Sequence, residues 1–323
     1  MAAVDSFHLL YREIARSCNC YVETLALVGA LYTASKAVIV ARNSYQLLRL
    51  HFIPRLARTR NLVGTYGEWA VIYGGSSESL TIAYAEELAR HGVNIILISP
   101  DSRGLTSTAK DLSELYGVEA ILVEADFCRG QSVCKPIQDA LKDRDVGFVV
   151  NSLDSSSLDL SQGFTNLSEG SLWEALNRSV TAASLVTRLA LPGMVERRRG
   201  AVVNISSWAC SQPAPNKAAL AASTAYLDHF SRALHHEFGP RGIFVQSLLP
   251  CHVGPQGPEE GRWAMVSSWL VPPAQVYARH AVSTLGLSHR TTGYWPHSLQ
   301  LGLVKWMPAW MWMFGSRILG STP

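Results

Sequence analysis

The feature that most constrains this chain is an alternation that begins at Trp69 and continues to Leu249. Six short apolar runs, Ala70–Tyr73, Asn94–Ser99, Ala120–Glu124, Gly147–Asn151, Ala201–Ile205 and Phe244–Leu249, have the length and composition of strands. Between them lie stretches of helical period, such as Ile82–His91 and Ser171–Val195. Strands separated by helices cannot pair as hairpins. They pair in parallel through right-handed crossovers, which predicts an α/β fold with a doubly wound parallel sheet.

Ahead of the alternation the chain has a different character. Residues 1–67 hold eight basic residues (Arg12, Arg16, Lys36, Arg42, Arg49, Arg55, Arg58, Arg60) and three acids (Asp5, Glu13, Glu23). The remainder carries 20 basic residues against 22 acids, and no acid occurs from residue 24 to residue 67. Val22–Val40 is an apolar run of about the minimum length for crossing a bilayer, with Glu23 at its edge and Lys36 close to its C-terminal end. A helix lying in the membrane interface fits the run as well as one that spans. No small-residue cleavage site follows a short apolar core, which speaks against a cleaved secretory signal. Leu47–Leu56 continues the mixed apolar and basic character until Pro54 breaks it. The expected organisation is a helical extension over 1–65, a sheet domain over 66–300 and a tail over 301–323. The tail holds Trp306, Trp310, Trp312 and Phe314, which fit either a headgroup belt or a packed helix.

Composition narrows the function classes. Hydrophobic residues make up 48% and charged residues 16% of the chain, so it can bury a large core but is sparsely charged. A net charge of +3 is too small to suggest nucleic acid as a partner. The six cysteines, at 18, 20, 128, 134, 210 and 251, form no CxxC pair and no metal-ligand spacing, so they read as free thiols and no metal is expected.

The strand–turn–helix at Ala70–Leu88 is where a dinucleotide pyrophosphate would sit. Such a turn needs one glycine for the tight bend, one for backbone approach to the phosphates and one for close helix packing. Gly74 and Gly75 open the turn, but Glu78, Ser79, Leu80 and Thr81 stand where the later glycines would fall. Glu78 sets a negative charge at a helix N-terminus that should meet a diphosphate.

With these segments in place, the chain resembles the short-chain dehydrogenase/reductase family, in the branch of 17-beta-hydroxysteroid dehydrogenases and 3-oxoacyl-CoA reductases. The resemblance covers roughly residues 66–300. It rests on AYAEELARHG after the turn, ILIS ending the second strand, ADF at 125–127, LPGMVERRRGAVVNISS at 191–207, AYLDHFSRAL at 225–234 and RGIFVQSLLP at 241–250. The basic, apolar N-terminus is similar to that of inactive, hydroxysteroid dehydrogenase-like members. Active members use an Asn–Ser–Tyr–Lys set, in which Tyr transfers the proton and Lys lowers its pKa. Laid on that pattern, the Ser is Ser207 and is retained, the Tyr falls on Leu220, the Lys on Thr224 and the Asn on Ser179. Leu has no transferable proton and Thr supplies no cation.

Neighbouring residues are poor substitutes. Tyr226 lies about 240° round the helix from Leu220, Lys217 precedes Leu220 instead of following it, and Asp228 and His229 are adjacent helical residues that do not face one another. The cofactor contacts that the resemblance implies are eroded too. Pro100 and Asp101 stand where NADP-dependent relatives keep an Arg, and Asn151-Ser152-Leu153-Asp154 replaces NNxG. Asp126 and Asn151 are kept, and each also has a structural reading as a residue closing a strand. The expectation is therefore a catalytically inactive pseudoenzyme with a degenerate NADP site and no bound cofactor. Rival readings are an active oxidoreductase with displaced groups and a lipid- or steroid-binding module. The expected partners are a membrane surface met by the N-terminal segment and an unidentified protein, with a homodimer among the options. The expected location is the mitochondrion, with the reticulum membrane as the alternative.

Overall fold

The computed structural model describes residues 2–52, 61–74, 79–100, 104–152, 164–211, 218–254 and 269–306. The chain divides into two compact units, Met1–Ile53 and Pro54–Pro323. The described part of the first is a single helix, α1 (Ala2–His51). Proline is absent from it and good helix formers dominate, so nothing interrupts the hydrogen-bond ladder. Its stretch Tyr21–His51 is long and apolar enough to cross a membrane, and large side chains such as Leu25, Leu27 and Leu31 are exposed along it.

The second unit opens with α2 (Leu62–Tyr66), whose first turn is capped by the Asn61 side chain accepting from the Gly64 N–H. Then follow β1 (Trp69–Tyr73), α3 (Ser79–Arg90), β2 (Asn94–Ser99), α4 (Leu105–Tyr116), β3 (Ala120–Glu124), α5 (Cys134–Leu141) and β4 (Val146–Ser152). The rest comprises α6 (Glu169–Leu176), a π-helical segment Asn177–Thr181, α7 (Ala182–Arg197), β5 (Gly200–Ile205), α8 (Ala218–Phe238), β6 (Ile243–Leu248), α9 (Ala274–Ser283), β7 (Arg290–Thr291) and α10 (Trp295–Trp306). All seven strands are parallel, in the order β3-β2-β1-β4-β5-β6-β7. The order reverses between β1 and β4, so the ligand crevice of such a sheet belongs at the C-terminal ends of β1, β4 and β5.

Every residue of β1, β4 and β5 is buried, as a sheet covered on both faces requires. One face packs Ala70, Ile72, Ile95, Leu97, Phe148 and Val203 against Tyr84 and Leu88 of α3 and Tyr277 of α9. The other packs Val71, Ile96, Val149, Val202 and Val245 against Ile137 of α5 and Val186 and Met194 of α7. Where the chain enters β1, Gly67 (φ +140°) and Gly147 touch backbone to backbone. A β-carbon on Gly147 would lie 2.6 Å from the Gly67 N and Cα, so neither position admits a side chain.

The strands agree with the apolar runs to within a residue at each end. Four differences have physical causes. Leu62, in the segment assigned to the extension, lies in the sheet core with Tyr66, which stands edge-on to Phe148 at 5.2 Å, so packing reaches back past residue 66. The helix expected over Ser171–Val195 is split by the π-helical segment. β7 is two residues long, too short for a hydrophobic period to reveal. Leu301, assigned to the tail, is buried in the domain, whereas Trp310, Trp312 and Phe314 lie outside the described residues.

Candidate functional site

The end of β1 differs from an open phosphate turn. Gly75 and Glu78 lie outside the described residues, but both flanks are defined. Thr81, buried in the first turn of α3, sits directly against Gly74. A β-carbon on Gly74 would fall 2.6 Å from the Thr81 Oγ1 and 2.7 Å from its Cγ2. A phosphate turn needs a glycine on the helix for close packing. Here the helix carries the side chain and the strand carries the glycine. Beside them, the buried Tyr73 donates its hydroxyl to the Arg178 carbonyl at 2.9 Å and stands edge-on to Phe127 at 5.3 Å. That links the end of β1 to the π-helical segment.

The two retained polar residues are engaged in the fold. Asp126 closes β3 and accepts from the Cys128 backbone N–H at 3.1 Å, capping a short 3-10 turn, with Arg129 3.7 Å away. Asn151 is fully buried and donates through Nδ2 to Asn204 Oδ1 at 2.7 Å and to Thr187 Oγ1 at 3.0 Å. Asn204 donates in turn to Ser231 Oγ at 2.8 Å, and Ser231 donates to the Leu227 carbonyl. The parallel register sets Asn151 and Asn204 side by side, so a polar ladder joins α7, β4, β5 and α8 beneath the crevice. Asn204, Thr187 and Ser231 were not anticipated from the sequence. The available signal was an Asn near the end of each of two strands, which means nothing until their register is known.

The four positions of the catalytic set converge, but only Ser207 keeps the group that the active pattern has. Ser179, buried in the π-helical segment, donates to the Ala175 carbonyl and lies 3.1 Å from the Ser223 hydroxyl on α8. Next to Ser223, Thr224 donates to the Ala221 carbonyl at 2.8 Å, and its own carbonyl accepts from Ser206 at 2.7 Å. Ser207 follows at the end of β5, half-buried. Leu220, one turn before Thr224, packs with Ala175, Ala219, Leu167 and Leu172 in a small apolar cluster. A π-helical turn is a frequent mark of a functional site, and here it holds a serine hydroxyl bonded back into its own helix.

The neighbouring groups face elsewhere. Tyr226 shares a hydrogen bond of 2.9 Å with Ser184 of α7 and stacks on Phe230. Asp228 accepts from Ser247 at 2.7 Å and from the Arg290 Nε at 2.9 Å, which ties α8 to β6 and β7, while His229 is exposed. No Asp–His dyad exists there. Lys217 lies outside the described residues. Beyond the end of β6, the fully buried His297 accepts the Cys251 backbone N–H through Nδ1 at 3.3 Å. Burial pulls the His297 pKa down to about 4 and pushes the Cys251 thiol up to about 12, so the thiol stays protonated and inert at neutral pH. Among the described residues no group of three or more His, Cys, Asp or Glu could hold a metal ion.

A family model described as short chain dehydrogenase matches residues 68–260. The chain belongs to the short-chain dehydrogenase family. Within this family it is 63% identical to the inactive hydroxysteroid dehydrogenase-like protein 1 of Danio rerio, over 98% of each chain. It is 53% identical to the Homo sapiens protein of the same name, over 100% of this chain and 97% of that one. The very-long-chain 3-oxoacyl-CoA reductase of Mus musculus is 33% identical over 88% of this chain and 90% of its own. Among solved structures, a 7beta-hydroxysteroid dehydrogenase superposes with a TM-score of 0.68 at 21% identity, covering 76% of this chain and 95% of that one. A short-chain dehydrogenase from Sphingobium yanoikuyae in complex with NADPH gives 0.55 at 24% identity, covering 66% and 82%. Both likenesses bear on the fold alone.

Proposed function

We propose that this protein is a catalytically inactive dehydrogenase-like scaffold, held at a membrane by α1 and using the family fold without hydride transfer. The observation that carries the reading is the state of the catalytic positions. Leu220 and Thr224 stand where the proton donor and its cation belong, and the Ser179 and Thr224 hydroxyls bond to other groups of the fold. The full-length relatives whose names begin with the word inactive support it. The residues present do not fit a nicotinamide dinucleotide, because Thr81 is seated against Gly74, Asp126 caps a turn of the fold and the Asn151 amide nitrogen is held by Asn204 and Thr187. We therefore assign no cofactor and derive no step through one. An unidentified protein, a second copy of the chain included, is the expected partner of such a scaffold.

The test is turnover. The unmodified protein is expected to show no reduction of carbonyl substrates and no oxidation of alcohols with either nicotinamide cofactor. Leu220→Tyr with Thr224→Lys is expected to stay inactive, because general acid catalysis worth roughly a hundred- to ten-thousand-fold has no bound hydride donor to act with. Robust turnover by the unmodified protein with NADPH would sink the reading in favour of an oxidoreductase with displaced groups. Turnover by the double variant alone would show a competent cofactor site.

Attachment is tested separately. Removing residues 1–60 is expected to release the sheet unit into the soluble fraction and to abolish mitochondrial targeting. A truncated protein that still sediments with membranes would move the anchor to the C-terminal tail, and full-length protein found in the reticulum would correct the location.

A further inference from the structure

We infer that α1 crosses the bilayer with its N-terminal end on the far side, so that the sheet unit faces the cytosol. The inference rests on the membrane reading given above and adds an orientation to it.

The first ground is that the helix has the surface of a span. From residue 22 to residue 40 only Glu23 and Lys36 carry charge, so no polar face of the kind an interfacial helix presents is available. At 1.5 Å per residue the run is about 28 Å long, close to the thickness of a hydrocarbon core. Hydroxyl groups inside hydrocarbon must find partners within the helix. The threonine and serine hydroxyls on the run do so. Thr24 donates to the Tyr21 carbonyl at 2.9 Å, Thr33 to the Gly29 carbonyl at 2.9 Å and Ser35 to the Tyr32 carbonyl at 2.7 Å. The Lys36 ammonium rests over the Tyr32 ring, 5.3 Å from its centroid.

The second ground is the placing of charge. Orientation follows the count of Lys and Arg close to each end of a span, with the richer end kept in the cytosol, while acids matter little. The N-terminal flank holds Arg12 and Arg16. The C-terminal flank, ahead of β1, holds Arg42, Arg49, Arg55, Arg58 and Arg60. Lys36 lies nearer this second end and adds to it. Five arginines against two keep the sheet-unit end in the cytosol and send the short N-terminal flank across.

The chain's own cysteines give the experiment. Cys18 and Cys20 lie on the N-terminal flank, and Cys128, on the sheet unit, is exposed. Sealed organelles from cells expressing the full chain are treated with a membrane-impermeant maleimide, before and after permeabilisation, and the modified sites are read by mass spectrometry. Alkaline carbonate extraction is run in parallel. The expected result is a carbonate-resistant protein with Cys128 modified in sealed organelles and Cys18 and Cys20 modified only afterwards. Exchanging the five C-flank arginines for Gln, and Asp5 and Glu13 for Lys, is expected to raise Cys18 and Cys20 modification in sealed organelles severalfold. Modification of Cys18 and Cys20 alone, or of neither flank, in sealed organelles would overturn the orientation while leaving the membrane reading intact. Modification of both flanks would overturn the crossing and place the helix in the interface. Complete release by carbonate would instead defeat the membrane reading itself.

Discussion

The floor of the crevice and its crest are built from the same polar residue types and use them differently. On the floor, Thr187, Asn151, Asn204 and Ser231 bond to one another across four elements, and Asp228 holds Ser247 and Arg290. On the crest, Ser179 bonds to its own helix and to Ser223, Thr224 bonds back into its own helix, Leu220 joins an apolar cluster and Thr81 rests on Gly74. A floor contact holds elements together, so losing it costs stability. A crest group in an active dehydrogenase reaches outward to a ligand, so turning it inward costs only activity. The difference teaches that the fold can be kept in full while the chemistry is lost.

The sharpest test of that division is Asn204→Ala. It removes two side-chain hydrogen bonds, leaves the buried Asn151 amide short of an acceptor and opens a cavity between two strands. Destabilisation of about 2–4 kcal/mol is expected, read as a lowered midpoint in urea. A loss below about 0.5 kcal/mol would mean that the ladder is dispensable and the comparison false.

How much of this could be read from the sequence follows from the range of each interaction. Strands buried on both faces announce themselves as apolar runs, and the half-buried edge strand β3 keeps an apolar run too, so the six from β1 to β6 were legible. The five-residue α2 and two-residue β7 hold too few residues for a period, and tertiary packing alone defines them. At the site, Leu220 and Thr224 were legible because family spacing is a one-dimensional property. The meeting of Asn151 with Asn204, and of Asp228 with Arg290, was not, since those partners stand 53 and 62 residues apart and depend on register. The Gly74–Thr81 exchange was half legible. The sequence marked the missing glycine, but only the packing showed that Gly74 makes room for the threonine.

A buried histidine outside the ladder adds a dependence on pH. His297 is fully buried, and burial lowers its pKa from 6.5 to about 4, so the unfolded chain binds a proton before the folded one does. Stability is therefore full above about pH 6.5 and falls as pH drops toward 4, by an amount on the order of 3 kcal/mol. His235, whose pKa is lowered by burial and by His289 and His236 beside it, pulls in the same direction. Denaturation midpoints measured from pH 4 to pH 8 should show the slope, and His297→Asn should flatten part of it. An unchanged slope in the variant would assign the dependence elsewhere.

The smallest effect expected separates a crest that is merely altered from one that is closed by packing. Gly74→Ala drives a methyl into Thr81 in the first turn of α3, and overpacking of this kind costs about 1–2 kcal/mol. Thr81→Gly removes the obstructing side chain but weakens the helix by up to about 1 kcal/mol. If the two residues are in the contact described, their effects are not additive. The alanine should cost less in the glycine background, with a coupling of about 0.5–1.5 kcal/mol, as expected for touching residues. Additive losses would mean that the threonine does not seat on the strand end. The same pair of variants then measures what the contact does to a ligand. Thr81→Gly restores one of the missing glycines while Ser79 and Leu80 keep their places, so titration with NADPH is still expected to show no saturable binding. Binding restored by that single change would identify Thr81 as the one group that closes the crest, and would leave Leu220 and Thr224 as the only obstacles to chemistry.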